Sequence, residues 1–182
     1  DFTTLIVGAG VAGIAAAHRF AQAGVPFTMI EAGTTVGGTW AKNTYAGVRL
    51  DTPTFGYSYS FAQRSDWPHQ FAQGGEVLEY LRDVAHRAGI VDAIEYSTRL
   101  LRLRWDDTAS LWEATTSAPD GTVNVRRFSA VISALGQLDK PNIPDLPGFA
   151  DYRGLTMHSQ EWRHDVDLAG KRVAVIGTGA SA

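Results

Sequence analysis

Residues 5–13 read LIVGAGVAG and decide the fold class, because a short apolar run passes directly into a glycine-spaced loop and then into an alanine-rich segment. Gly8, Gly10 and Gly13 have the G-x-G-x-x-G spacing. In such loops the first glycine permits a tight turn, the second lets a pyrophosphate approach the backbone, and the third lets a helix pack closely on the sheet. We therefore predict a strand, this turn and a helix over 14–22 whose positive end faces phosphates.

A second apolar run, residues 26–30, predicts the next parallel strand and is followed by Glu31. An acid about 20 residues beyond the glycine loop is typical of the carboxylate that binds ribose hydroxyls in a dinucleotide site. The alternative for Glu31 is a solvated strand end. Because strand, loop, helix, strand and acid follow in the expected order, the sequence favours the ribose interpretation.

The composition excludes several other classes of function. The chain has 182 residues, 45% hydrophobic and 19% charged, with a net charge of −3 and no basic cluster, which argues against a nucleic-acid or anionic-membrane partner. It has no cysteine, which rules out disulfides and thiolate ligands, and its histidines lack metal-ligand spacing, so we expect no metal site. The apolar run 5–17 is too short to span a bilayer, and no basic residues precede it as they would in a signal peptide. We therefore expect a cytoplasmic protein.

The middle of the chain combines glycine pairs, aromatics and amphipathic patterns. Gly37 and Gly38 precede Thr39 and Trp40, where we expect the backbone to pass close to a flat group. Aromatic residues alternate at Tyr57, Tyr59 and Phe61, which is also typical of a half-buried strand, and Asp51 before Thr52-Pro53 is equally consistent with a turn or helix cap. Helical spacing of apolar residues over 76–88, ended by Gly89, predicts a scaffold helix.

Between residues 94 and 128 the apolar period changes to two. Leu101, Leu103 and Trp105 alternate with arginines, and further strands are predicted over 111–116 and 123–128 on either side of a Pro-Asp-Gly turn. These segments predict an antiparallel meander inserted into the parallel fold. Residues 130–135 then predict a buried strand that closes on Gly136.

The last part of the chain repeats the opening pattern. The proline-rich residues 139–148 predict an extended linker, and residues 171–176 predict a strand. Gly177, Thr178, Gly179 and Ser181 then form a second dinucleotide-type loop with Ala182 at the position of the third glycine, although residues 179–181 also resemble the start of a nucleophile elbow. Because the chain lacks an initiator Met and stops within this motif, we expect part of a longer protein, divided into residues 1–138, 139–169 and 170–182.

Several motifs together resemble the N-terminal part of class B flavoprotein monooxygenases, in particular Baeyer–Villiger monooxygenases. They are GAGVAG, GGTW at residues 37–40, GVRLD at 47–51 and SALGQLDKPNIPDLPG at 133–148. The family fingerprint F-x-G-x-x-x-H-x-x-x-W, followed by Pro or Asp, is matched at Gly154, His158 and Trp162. Tyr152 replaces its Phe, Arg163 occupies its last position, and Ala46 stands where the family usually has Pro.

The resemblance implies an α/β fold: a Rossmann-like, three-layer FAD-binding domain with an inserted antiparallel meander, and the start of a Rossmann-like NADPH domain. It implies that the FAD pyrophosphate is bound by Gly8, Gly10, Val11, Ala12 and Gly13, and the adenosine ribose by Glu31. The surroundings of the flavin would be formed by Gly38, Thr39, Trp40, Tyr57, Leu100 and Gly136. The NADPH loop would be formed by Gly177, Thr178, Gly179 and Ser181. It also implies that Asp51 lies near the flavin and holds an active-site arginine of the NADPH domain. His158 would couple the domains.

The activity implied by the resemblance is reduction of FAD by NADPH, capture of O₂ as a flavin peroxide and insertion of one oxygen atom into a ketone, giving an ester or lactone. An N- or S-oxygenating flavin monooxygenase is the alternative within enzymes. A catalytically inert nucleotide-binding module is the alternative from another class, and we expect these 182 residues alone to show no turnover.

Overall fold

The computed structural model describes residues 2–181, which form three layers of an α/β fold, as the sequence predicts. The helices and strands, in chain order, are β1 (Thr4–Val7), α1 (Val11–Gln22), β2 (Phe27–Ile30), α2 (Thr39–Lys42), α3 (Gly74–Arg87), β3 (Ile94–Glu95), β4 (Arg99–Asp106), β5 (Leu111–Ser117), β6 (Val123–Phe128) and β7 (Ala130–Ser133). Short 3₁₀ turns lie at Thr54–Gly56, Val91–Ala93, Phe149–Asp151 and Ser159–Glu161.

The central layer is a parallel sheet with the strand order β3-β2-β1-β7. Thr4 of β1 pairs with Phe27 on one side and with Ala130 on the other. The chain therefore leaves β1 toward β2 and returns much later on the opposite side of β1. This reversal makes the carboxyl end of β1 a topological switch point, the place where open α/β sheets bind ligands.

Alternate side chains of the sheet enter two separate cores. Ile6 and Met29 face α1 and α3 in a large helical core, where Ile14, Leu81 and their neighbours are almost fully buried. Leu5, Val7 and Ile30 face the other way, against Ala114 and Phe128 of the antiparallel sheet. Because a strand's side chains alternate between its two faces, both faces of β1 are covered and the strand reads as a continuous apolar run.

The inserted meander is an antiparallel sheet of order β4-β5-β6, as predicted. In β4, however, the side chains do not alternate between the two faces as expected. The pairing register shifts between Leu100 and Arg102, so Leu101 is the extra residue of a β-bulge. Leu100 and Leu103 therefore pack against the core, whereas Leu101 is 53% exposed. The expected alternation of Leu101, Leu103 and Trp105 on one face is thus wrong, because a bulge interrupts the period of two.

The approach of α1 to β1 depends on glycines. A Cβ atom at Gly13 would lie 1.8 Å from the carbonyl oxygen of Gly8, and one at Gly8 would lie 2.6 Å from that of Ala134. Gly8 also has φ +102°, in the region that L side chains rarely adopt. The first turn of α1 therefore sits directly over the end of β1, as the motif predicts.

Other boundaries differ from the predictions. The helix predicted from Ile14 already begins at Val11, α3 begins at Gly74 rather than Glu76, and β7 is only half-buried and ends at Ser133. Residues 171–176 form no strand, and Val173 and Ile176 are 57% and 65% exposed. A strand needs a neighbouring ladder, and none of residues 2–181 pairs with this segment.

Substituting Gly13→Ala should destabilise the fold by about 1–3 kcal/mol or more, because backbone rather than a flexible side chain occupies the space of the new methyl group. Urea unfolding followed by circular dichroism measures this change. Gly75→Ala is the matched control: its Cβ would meet nothing within 4 Å, and alanine in the first turn of α3 should leave stability unchanged or raise it by up to about 1 kcal/mol. Equal stability of the two variants would contradict the close-approach explanation.

Candidate nucleotide-binding site

The first turn of α1 presents unpaired backbone donors at the switch point. Gly10 is the N-cap residue, and its carbonyl accepts the N–H of Ile14 at 3.0 Å. The N–H groups of Val11, Ala12 and Gly13 precede the first intrahelical bond, so the helix itself does not pair them. Val11 and Ala12 are exposed, and the turn can therefore bind an anion through backbone donors and the helix dipole.

The paired glycines lie directly against this turn. The N–H of Gly37 donates to the carbonyl of Ala9 at 2.9 Å. A Cβ at Gly38 would be 2.8 Å from the Cα of Gly10, and one at Gly37 would be 2.3 Å from a methyl group of Leu78. Only residues without side chains allow the two loops to touch, and together residues 8–13 and 37–38 form what we call the glycine cradle.

Trp40 and Tyr57, predicted separately as cofactor neighbours, lie together. The indole N–H of Trp40 donates to the Tyr57 hydroxyl at 3.0 Å, and the rings meet edge to face with centroids 5.7 Å apart. Trp40 and Thr39 belong to α2, the single turn that begins directly after Gly38. The cradle therefore continues into a pair of half-buried aromatic side chains.

Glu31 has a role that the spacing of the motif did not reveal. One carboxylate oxygen accepts the N–H of Ala9 at 2.7 Å, and the other accepts the N–H of Gly33 at 2.6 Å. Glu31 therefore fixes the glycine loop to the end of β2 and is not merely a solvated strand end. An ionised carboxylate has about four acceptor positions, so two remain for further donors such as ribose hydroxyls.

Asp51 is exposed, and within residues 2–181 no hydrogen bond to its carboxylate is formed. The 3₁₀ turn that follows has Pro53 at its N-cap and no side-chain cap, so the helix-cap alternative for Asp51 is wrong.

The segment around Asp51 is instead anchored by Thr54, which is 1% exposed. Its hydroxyl donates to the carbonyl of Gln70 at 2.8 Å and accepts the N–H of Ala72 at 2.7 Å. Nothing in the local sequence pattern distinguished Thr54 from other threonines.

Residues 57–61 form an irregular connection that we call the aromatic strap, rather than a regular strand. Tyr57 contacts Trp40, while the Tyr59 hydroxyl donates to the carbonyl of Val11 at 2.7 Å. Phe61 stacks on His18 of α1 with ring centroids 3.9 Å apart. Burial raises the pKa of the Tyr59 hydroxyl far above its usual value, with the nearby Tyr80 and Tyr57 adding to the shift, so it stays protonated. The strap joins the two sides of the cradle.

Two further predicted positions lie around the sheet end. Leu100 is half-buried and packs against the core on the meander side of the sheet. Gly136 is exposed with φ +76° and follows Ala134, whose N–H donates to the carbonyl of Val7 at 2.9 Å. Gly136 thus follows the strand end that lies beside Gly8, whereas the Leu100 side chain is committed to packing.

The second glycine loop is exposed, from Gly177 at φ +134° through Thr178 and Gly179 to Ser181. The Tyr45 hydroxyl and the Ser181 hydroxyl are 3.0 Å apart. Two residues of segment 139–169 contact α2 and the residues that follow it: Asp139 pairs with Lys42 at 3.1 Å, and His164 lies 2.8 Å from Thr44. Residues 42–45 therefore connect the first loop region to the second, while Ala182 lies outside the described residues.

The fingerprint residues have local structural contacts. The exposed Tyr152 side chain lies directly against Gly154, in the space that a Cβ atom would occupy. Nδ1 of His158 accepts the N–H of Gln160 at 3.1 Å and caps the turn Ser159–Glu161. These contacts agree with a conformational role for this segment.

Within residues 2–181, no three His, Asp or Glu side chains are grouped as metal ligands, and no helix has the length and hydropathy to cross a membrane.

Comparison with known proteins decides the family. A sequence model described as flavin-binding monooxygenase-like matches residues 3–182. The chain belongs to this family. Its relatives include Baeyer-Villiger monooxygenases of Streptomyces coelicolor and Pseudomonas aeruginosa, each 39% identical over 178 residues and 97% of this chain. The resemblance inferred from the motifs is confirmed.

Solved structures of family members have the same fold. The crystal structure of OTEMO in complex with FAD and NADP matches with a TM-score of 0.86 and 35% identity, covering 98% of this chain and 35% of that one. The open structure of cyclohexanone monooxygenase matches with a TM-score of 0.85 and 35% identity, covering 99% and 36%. The chain spans 33% of the length of the Streptomyces coelicolor and Pseudomonas aeruginosa relatives, and about a third of the two proteins of known structure.

Substituting Glu31→Gln should destabilise the chain by about 1–3 kcal/mol, because an amide has only one acceptor oxygen and one of the two backbone N–H groups then faces an NH₂ group. Thermal unfolding of the ligand-free chain measures this effect. Glu161→Gln, at an exposed position, is the control and should leave the melting temperature unchanged. An unchanged stability of the Glu31 variant would show that these bonds do not hold the loop.

Proposed function

We propose that this chain is the FAD-binding part, and the beginning of the NADPH-binding part, of a Baeyer–Villiger monooxygenase. The observation that carries the proposal is the glycine cradle, in which two loops touch at Gly10 and Gly38 beside unpaired helix donors. The OTEMO structure that this chain resembles contains FAD and NADP, which supports the same cofactors here.

The residues present fit FAD. A side chain at Gly38 would collide with Gly10 in the cradle, and the free N–H groups of Val11, Ala12 and Gly13 suit a pyrophosphate. Glu31 retains acceptor positions for ribose hydroxyls. Trp40 and Tyr57 offer aromatic surface for a flavin, with Thr39 beside them and Gly136 near the end of β7. The packed side chain of Leu100 leaves only its backbone for such a role.

The same reasoning assigns NADPH to the second loop. Gly177, Thr178, Gly179 and Ser181 are exposed, and Gly177 has the positive φ that the first glycine of such a loop requires. We assign residues 1–138 to the FAD domain, 139–169 to the linker and 170–182 to the start of the NADPH domain. The contacts of residues 42–45 with Asp139, His164 and Ser181 would connect the two cofactor sites.

FAD, when bound, supplies the redox chemistry, and the protein contributes binding, orientation and exclusion of water. In the proposed overall reaction, a ketone, O₂, NADPH and a proton give an ester or lactone, NADP⁺ and water. One oxygen atom enters the carbon–carbon bond beside the carbonyl, and the other leaves as water. The ε-caprolactone-bound structure of cyclohexanone monooxygenase, 34% identical to this chain, supports a ketone-to-lactone reaction.

We propose that Asp51 positions an arginine of the NADPH domain. The support is its exposed carboxylate, which lacks a hydrogen-bond partner within residues 2–181 and caps no turn. A charge-assisted hydrogen bond to a guanidinium would orient that cation where negative charge develops during oxygen transfer.

The cofactor assignment is tested with the purified chain. After desalting, the wild-type chain should retain a flavin absorption spectrum, and Gly38→Ala should lose it, because the new Cβ would lie 2.8 Å from Gly10. Gly56→Ala, where a Cβ meets nothing within 4 Å, is the control and should keep the flavin. A folded but colourless wild-type chain would instead indicate the inert module.

The reaction is tested on a full-length protein that contains this chain, incubated with NADPH, O₂ and a panel of ketones, amines and sulfides. We expect esters or lactones in step with NADPH oxidation. Asp51→Ala should keep FAD bound but slow the reaction. Amine or sulfide oxides, with no ester from any ketone, would establish the N- or S-oxygenating alternative.

A further inference from the structure

Tyr59 makes a hydrogen bond whose effect reaches beyond packing. Its hydroxyl donates to the carbonyl oxygen of Val11 at 2.7 Å. That carbonyl belongs to the same peptide group as the N–H of Ala12. The Ala12 N–H lies in the first turn of α1 and has no intrahelical acceptor. The phenol therefore contacts one end of a peptide group whose other end points out of the helix.

The direction of the Tyr59 hydroxyl is fixed by its surroundings. The Tyr59 ring stacks with the rings of Phe61 and Tyr80, with centroid distances of 4.8 and 6.0 Å. The backbone N–H of Tyr59 donates to the Tyr80 hydroxyl at 2.7 Å, and that hydroxyl donates to the carbonyl of Ala62 at 2.7 Å. Tyr80 itself is 2% exposed. Few alternative orientations remain for Tyr59, so its donor is preorganised toward Val11.

A hydrogen bond to a carbonyl oxygen polarises the whole peptide group. In condensed phases, such chains strengthen each bond by roughly 10–30%. Because a carbonyl oxygen has two acceptor positions, the bond from Tyr59 adds to the helix's own bond at Val11 without replacing it. The consequence is a more positive and better oriented N–H at Ala12.

We propose that Tyr59 is a positioning residue for the dinucleotide: by donating to the Val11 carbonyl, it orients and strengthens the Ala12 N–H as a donor to the pyrophosphate. This inference rests on the proposed function, since it requires a pyrophosphate in the cradle. It also gives the aromatic strap a purpose that the alternating aromatic pattern did not suggest.

The test compares Tyr59→Phe with the wild-type chain, both after removal of any bound flavin, using ADP and adenosine as probes that differ by the pyrophosphate. Calorimetric titration should show ADP binding weakened roughly 2- to 10-fold, the range expected for one lost hydrogen bond, with adenosine binding unchanged. In the ligand-free chain, the Ala12 amide proton should move upfield in the NMR spectrum of the variant. In the wild-type chain, the same amide should shift strongly when ADP is added.

Trp67→Phe is the matched control. It changes another ring of the same aromatic cluster, with its centroid 5.3 Å from that of Tyr80, and within residues 2–181 the indole N–H of Trp67 has no hydrogen-bond partner. The variant should lower thermal stability while keeping the preference for ADP over adenosine. A loss of that preference equal to that of Tyr59→Phe would overturn the inference, because packing of the aromatic cluster alone would explain both results.

Two further outcomes separate this inference from the proposed function. If the wild-type chain binds ADP, but Tyr59→Phe binds it equally well or the Ala12 amide of the wild type does not respond to ADP, the role of Tyr59 is wrong and the nucleotide site stands. If the wild-type chain binds neither ADP nor FAD, both proposals are overturned.

Discussion

The structure depends on the close contact between the start of α1 and the end of β1. The Cα of Gly13 lies so near the Gly8 carbonyl that no side chain fits between them. This contact places the unpaired N–H groups of the first turn at the switch point of the sheet, where β2 and β7 diverge from β1. A helix held further from the sheet by side chains would direct the same donors elsewhere. The glycine spacing is thus a packing requirement as much as a requirement of the ligand.

Around this contact, residues distant in sequence hold the loops in place. Glu31 bonds the loop at Ala9 and its own turn at Gly33, and Gly38 fits against Gly10. Tyr59 reaches the first turn of α1 from the aromatic strap. These contacts leave the N–H groups in the first turn of α1 without a partner in the helix. Preorganisation of this kind reduces the cost of ordering the site when a ligand binds.

The chain belongs to the flavin-binding monooxygenase-like family, and this membership bears on the segments that lack partners. The match covers residues 3–182, whereas the chain spans about a third of its Baeyer-Villiger relatives. Under the proposed function, the exposed second loop and residues 171–176, which pair with no strand among residues 2–181, would pack within the NADPH domain. Asp51 likewise lacks a hydrogen-bond partner for its carboxylate within residues 2–181, and its proposed partner is an arginine of the NADPH domain.

The sequence by itself determined the strand, glycine loop and helix, the following acid, the meander and the family, because these depend on spacing within short segments. The sequence named Trp40, Tyr57 and the loop glycines as candidate site residues, and the structure brings Trp40 to Tyr57 and Gly38 to Gly10, but these contacts were not predictable. Only the tertiary structure decided that Glu31 anchors the loop, that a bulge turns Leu101 outward and that Tyr59 bonds Val11. It also showed that an apolar run such as 171–176 is no strand without a neighbour. Hydrogen bonds and ladders between distant segments depend on where the chain returns, which a local pattern does not contain.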